Sequence, residues 1–294
     1  MPQADNDGVV IEYDTIGTHD HPALLLIMGF ATQLTAWDRE FCQLLASHGF
    51  FVIRFDNRDC GLSGKTDGEP PNIMALMMAV MAGNEVTEEV PYTLSDMAAD
   101  GLAVLDHLGI DQAHIAGASM GGMIAQQMAI DHPDRVLSLT SIMSTTGDSS
   151  VGQGTQEAVG ALFSPPPEDR DSVIERGLTI AGVVCGPHFD EAEARIRIGD
   201  AFDRSFHPQG GPFQLAAIAK TGDRTENLRA LDVPTLVIHG EVDTLVDVSG
   251  GEATAAAIGG AKLLTFDDMG HDLPKPRWPE ITAAIAELAA SARR

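Results

Sequence analysis

The sequence predicts an α/β fold: a mostly parallel sheet covered by helices on both faces, with a helical cap inserted into it. Three observations predict it. Short apolar runs rich in β-branched residues alternate with helix-length segments along most of the chain. Several of those runs are continuously apolar, the pattern of strands buried on both faces. The alternation then lapses between Ser144 and about Arg229, an interval too long for a plain loop.

The strand-like runs, in order, are Val9–Tyr13, Ala23–Met28, Phe50–Phe55, Ala113–Ala116, Leu137–Met143, Thr235–His239 and Lys262–Phe266. Between and after them lie the helix-like stretches Trp37–His48, Leu94–Leu108, Met120–Asp131, Glu252–Ile258 and Pro279–Ser291. A strand–helix–strand order of this kind builds a parallel sheet, and right-handed crossovers bring the loops that follow the strands to one edge. The interruption contains Gly and Pro clusters at Ser164–Pro167 and His207–Pro212, and helix-like stretches near Ser172–Ala181 and Glu191–Phe202. Residues 146–211 are therefore expected to form the cap, and residues 1–145 and 212–294 the core domain. A second insertion is expected at Pro70–Pro91, where Met74, Met77, Met78 and Met81 share one helical spacing. Flexible thioethers there suit either an apolar pocket wall or the core.

With 294 residues, 44% of them apolar, the chain can bury a full core. No apolar run reaches the length of a membrane span, and the acidic start MPQADNDGVV does not resemble a secretory signal, so a cytoplasmic location is expected. Cys42, Cys60 and Cys185 are odd in number and far apart, which reads as reduced thiols and not as a metal site. The net charge of −25, with only four lysines, disfavours nucleic acid and anionic membranes as partners. The expected partner is a small molecule, with homo-oligomerisation left open.

The strongest local signal is Gly117-Ala118-Ser119-Met120-Gly121. It follows an apolar run and opens a helix-length segment, the setting in which G-x-S-x-G makes a tight strand-to-helix turn. Ser119 would project from the top of the sheet, beside the free N–H groups of a helix start that favour a developing oxyanion. A serine hydroxyl needs a base, usually histidine, and a carboxylate that fixes the imidazole tautomer. Of the ten histidines, His271 is selected because Asp268-Met269-Gly270-His271 follows the last strand-like run. Asp243 follows Thr235–His239 in the same way, with Asp247, Glu241, Asp267 and Asp268 as rivals. His239 ends a buried strand and reads as structural. The second oxyanion donor should come from Met28-Gly29-Phe30, the turn after Ala23–Met28. Gly29 allows the bend, Phe30 supplies an N–H beside that of Met120, and Trp37 either lines the pocket nearby or faces the core from the next helix.

Four blocks in this order resemble the α/β-hydrolase superfamily over nearly the whole chain: Met28-Gly29-Phe30, Gly117 to Gly121, His239-Gly240-Glu241-Val242-Asp243, and Gly270-His271. The resemblance implies a triad of Ser119, Asp243 and His271, with Phe30 and Met120 as oxyanion donors. Within the superfamily the chain most resembles the aclacinomycin methylesterase group. The basis is the Met28-Gly29 turn, the segment Asp56-Asn57-Arg58-Asp59-Cys60-Gly61-Leu62-Ser63 and the Gly117–Gly121 elbow. Two departures are Met28, where many superfamily members carry histidine, and the long Met-rich segment, so substrate is not carried over.

The chemistry expected is hydrolysis of a carboxylic ester of a small to medium, moderately apolar substrate, with no metal or organic cofactor required. Gly29, Trp37, Met77 and Met81 are the expected substrate-binding residues. A carbon–carbon bond hydrolase or cofactor-free perhydrolase would use the same triad. A non-catalytic ligand receptor on this fold is the alternative of a different class.

Overall fold

The computed structural model describes residues 2–73, 75–76, 78, 86–164 and 167–292. Its strands are β1 (Gln3–Asn6), β2 (Val9–Ile16), β3 (Ala23–Ile27), β4 (Phe51–Phe55), β5 (Ala113–Ala118), β6 (Val136–Ile142), β7 (Thr235–Gly240) and β8 (Lys262–Phe266). They form one sheet in the order β1-β2-β4-β3-β5-β6-β7-β8. β2 runs antiparallel to β1 and β4; from β4 to β8 every pairing is parallel.

β3 shows why its apolar run is unbroken. Leu25 and Ile27 enter one core cluster, and Leu24 and Leu26 enter the other. Successive side chains of a strand point to opposite faces, so a strand covered twice is apolar at every position. The first face is covered by α2 (Leu94–His107) and α3 (Met120–Asp131), through Met97, Val104, Ile124 and Met128. The second is covered by α1 (Arg39–Ser47) and α10 (Trp278–Ala292), through Phe41, Leu45, Ile281 and Ile285. Each such side chain contributes about 1.5–3 kcal/mol when fully buried.

β1 has no apolar pattern to reveal it; of its four residues only Ala4 is buried. It exists because Asp7 and Gly8, at φ +50° and +91°, turn the chain back to pair with β2. α1 starts at Arg39 and not at Trp37, because Asp38 caps it by accepting the Glu40 N–H while Leu34–Ala36 makes a separate 3₁₀ turn.

Between β6 and β7 come α4 (Gln156–Leu162), α5 (Arg170–Val184), α6 (Glu191–Arg204), α7 (Gly210–Thr221) and α8 (Thr225–Arg229); α9 (Ser249–Ala257) follows β7. α5 and α6 pack on each other through Ile174, Leu178 and Ala194. α7 instead joins the main core through Phe213 and Ala217. The His207–Pro212 cluster, which reads as punctuation, supplies the first turn of α7. A Cβ on Gly210 would lie 2.0 Å from the Asp59 carbonyl oxygen, so that glycine permits close docking on the core. Pro212 sits in the first turn, where no intrahelical N–H is needed. Among the described residues no helix is long and apolar enough to cross a membrane.

In the Met-rich segment Leu76 and Val86 are buried against Ala216, and Met78 is exposed. Met74, Met77 and Met81 lie outside the described residues.

Candidate active site

Ser119 is the single residue between β5 and α3, at φ +57° and ψ −122°. A non-glycine residue there is strained, and the surroundings must hold it. Its N–H donates to the Ile142 carbonyl of β6 at 2.9 Å, and its carbonyl accepts from Gly122 N–H at 2.9 Å. The flanking glycines are steric requirements. A Cβ on Gly117 would lie 2.0 Å from the Gly121 carbonyl oxygen, and one on Gly121 would lie 2.1 Å from that of Ile27.

His271 Nε2 lies 2.9 Å from Ser119 Oγ, and His271 Nδ1 lies 2.7 Å from Asp243 Oδ2. Asp243 Oδ1 accepts the N–H groups of Leu245 and Val246, each at 2.9 Å. Burial pushes this carboxyl up, but the charge of His271, both nearby histidine rings and the Val246 N–H outweigh it and leave it at about 2. An ionised Asp243 accepts a hydrogen bond from Nδ1–H, so in the neutral ring the Nε2 lone pair faces the serine hydroxyl. His239 Nε2 is 2.8 Å from the Val246 carbonyl oxygen and 3.6 Å from Asp243 Oδ2. Its proton therefore goes to the carbonyl, and it acts on the carboxylate through space.

The rival carboxylates are occupied elsewhere. Asp247 accepts from Ser249 N–H, Glu241 from the Thr265 hydroxyl, and Asp268 from Arg277 and His188; Asp267 is exposed beside Arg277. Burial pushes the thiols of Cys42, Cys60 and Cys185 up to about 12, which makes them poor nucleophiles.

The turn 28–30 lies against the serine: a Cβ on Gly29 would sit 3.2 Å from Ser119 Cβ. Among the described residues the backbone N–H groups of Phe30 and Met120 have no acceptor within the chain. The turn is held from below by the Asp56-Asn57-Arg58 segment. Asn57 Nδ2 donates to the Met28 carbonyl at 2.8 Å, and Asp56 Oδ1 accepts from Leu34 N–H at 2.7 Å. Gln214 on α7 accepts the Ala31 N–H and donates to the Arg58 carbonyl, each at 2.8 Å. Arg204 on α6 reaches Asp56 Oδ2 at 2.8 Å and Gln33 Oε1 at 2.6 Å, tying that helix to the same loop. Gln214, Arg204 and Gln33 escaped the sequence reading; nothing in their local pattern separates them from other polar helix or loop residues.

A cavity of about 640 Å³ opens above Ser119 and His271. Met28, Gly29, Trp37 and Met143 line it from the core, and Leu162, Ile180 and Val184 from α4 and α5. Trp37 is buried and stacks on Phe41. The arrangement provides an activated hydroxyl, a base with an oriented tautomer, two N–H donors and an apolar enclosure, which together suit attack on a carbonyl.

Comparison with known proteins shows the family and the fold. A model of the alpha/beta hydrolase fold matches residues 22–180. The rhodomycin D methylesterase of Streptomyces peucetius is 28% identical, the match covering 95% of each chain. A 3-oxoadipate enol-lactonase of Acinetobacter baylyi is 25% identical over 83% of this chain and 80% of its own. Among solved structures, the enol-lactonase from Burkholderia xenovorans superposes with a TM-score of 0.74 at 22% identity, covering 98% of this chain and all of its own. A meta-cleavage product hydrolase from Pseudomonas fluorescens gives 0.77 at 19% identity, covering 99% of this chain and 98% of its own.

Proposed function

The chain belongs to the alpha/beta hydrolase fold family, and on that premise we propose that it is a serine hydrolase that cleaves a carboxylic ester through an acyl-enzyme. The observation that carries the proposal is the unbroken hydrogen-bond relay from Ser119 Oγ through the His271 ring to Asp243. The names of the methylesterase and enol-lactonase relatives support an ester or lactone as the bond broken.

Ser119 Oγ attacks the ester carbonyl carbon as its proton passes to His271 Nε2, and Asp243 stabilises the imidazolium that results. The N–H groups of Phe30 and Met120 receive the oxyanion. Collapse expels the alcohol, which leaves with the proton from His271. Water, deprotonated by the same ring, then attacks the acyl-enzyme and frees the acid. The apolar walls of the cavity favour a moderately apolar substrate, and its volume is within the range of small-molecule sites.

The test is turnover of p-nitrophenyl esters by the wild type and by Ser119→Ala. The variant is expected to keep its fold and lose turnover by at least about 10³-fold. Retained turnover in a folded variant refutes the proposal.

A further inference from the structure

We propose that Asp272 is a positioning residue for the His271 base, clamping the C-terminal end of cap helix α5 onto the loop that carries the ring. This inference rests on the triad reading above. Asp272 Oδ1 accepts two backbone N–H groups: that of Gly186, just beyond α5, at 3.1 Å, and that of Gly270, just before His271, at 3.0 Å. The His271 N–H itself donates to the carbonyl of Val184, the last residue of α5, at 2.7 Å. The two segments touch so closely that a Cβ on Gly270 would lie 2.5 Å from the Val184 carbonyl oxygen, and one on Gly186 would lie 2.8 Å from Gly270 N. The Thr244 hydroxyl, one residue after Asp243, donates to the Val183 carbonyl at 2.8 Å. One end of a cap helix is thus bonded to both loops of the relay.

A carboxylate that satisfies two converging N–H groups does what neither segment can do alone. Without an acceptor there, the Gly186 and Gly270 N–H groups would face each other across the contact, each unsatisfied. Asp272 also borders the cavity beside the base. Burial pushes its carboxyl up, partly offset by the two N–H donors and by the His271 charge. Other charged or titratable groups bear on this corner. Asp243 faces His271 from the loop after β7, with His239 behind it. The Cys185 thiol approaches from the cap turn, with Arg197 of α6 near it. Asp268 on the same loop is held by Arg277 and His188.

The test compares Asp272→Asn and Asp272→Ala by full pH profiles of kcat and kcat/KM on a p-nitrophenyl ester. Asparagine can still accept both N–H groups through its amide oxygen but carries no charge. Its kcat and KM are both expected to stay within about 5-fold of wild type, because the acceptor that joins the two segments is kept. Alanine removes acceptor and charge together; kcat is expected to fall about 10- to 100-fold, more than KM rises, because the ring loses its support. An Asp272→Asn kcat as low as that of Asp272→Ala, or an Asp272→Ala kcat equal to wild type, overturns the inference. The isosteric asparagine variant keeps the test informative where alanine unfolds. Loss of turnover in Ser119→Ala with both Asp272 variants at wild-type values sinks this inference alone, whereas retained turnover in Ser119→Ala sinks the reading beneath it.

Discussion

Replacing Asp243 by Asn separates charge from shape at the centre of the relay. Asn can orient its amide in two ways. With Oδ1 toward the Leu245 and Val246 N–H groups, as the carboxylate oxygen is now, its NH₂ faces His271 Nδ1. The ring must then accept at Nδ1 and carry its proton on Nε2, so no lone pair meets Ser119 Oγ. With the amide reversed, the tautomer is right but the NH₂ group confronts two backbone donors, each left unsatisfied at about 1–3 kcal/mol. The two lost bonds together exceed any gain, so the unreactive orientation prevails. Adding the lost stabilisation of the imidazolium, kcat/KM is expected to fall about 10³- to 10⁴-fold, or about 4–5.5 kcal/mol at 1.36 kcal/mol per decade. The assay is steady-state ester hydrolysis between pH 6 and 9, with circular dichroism to verify folding. A folded variant within 10-fold of wild type refutes the tautomer argument.

The same substitution tests the electrostatics. Asp243 sits at about 2 against a reference of 3.8. A depressed carboxyl gives stability that is present above its unfolded value and lost as pH falls through the folded one. The difference of nearly two units corresponds to about 2 kcal/mol. The gap in Tm between wild type and Asp243→Asn should therefore narrow as pH drops from 5 to 2. A gap independent of pH over that range contradicts the depressed value.

Two further outcomes follow from contacts around the site. Gly117→Ala drives a Cβ to within 2.0 Å of the Gly121 carbonyl oxygen, which is backbone and cannot swing away; denaturant unfolding should show a loss of about 2–4 kcal/mol, and a change below 0.5 kcal/mol would contradict the packing. Arg204→Met leaves Asp56, whose side chain is fully buried, with two N–H donors but no cation. Stability should fall by about 3 kcal/mol, with a rise in KM as α6 loosens from the 28–34 loop, and a loss below about 0.5 kcal/mol would contradict an uncompensated buried charge.

Much of this architecture can be read along the chain. The unbroken apolar run of β3 announces two-faced burial, and the α3 boundaries coincide with the segment that follows the G-x-S-x-G turn. The expected meeting of Ser119, His271 and Asp243 rested on chain order, since loops after parallel strands share an edge. Polar β1 was illegible because a strand of QADN is defined by its partner and its turn and not by its own periodicity. α7 was illegible because its Gly-Gly-Pro start is a docking feature, meaningful only against the Asp59 backbone.

Residue identity alone dictates the alternation of strand and helix, the glycines that the tight turn demands and the type of chemistry available to a serine, a histidine and an aspartate. These are local properties, encoded in side-chain period, backbone freedom and functional groups. Which carboxylate among five reaches the imidazole, which polar residues hold the turn at 28–30, and how α5 grips the His271 loop were settled by folding. Those outcomes depend on distances of a few tenths of an ångström between segments far apart in the chain, as between Asp243 and His271 or Gly186 and Asp272. No local pattern carries such distances, because they emerge only when every layer packs at once.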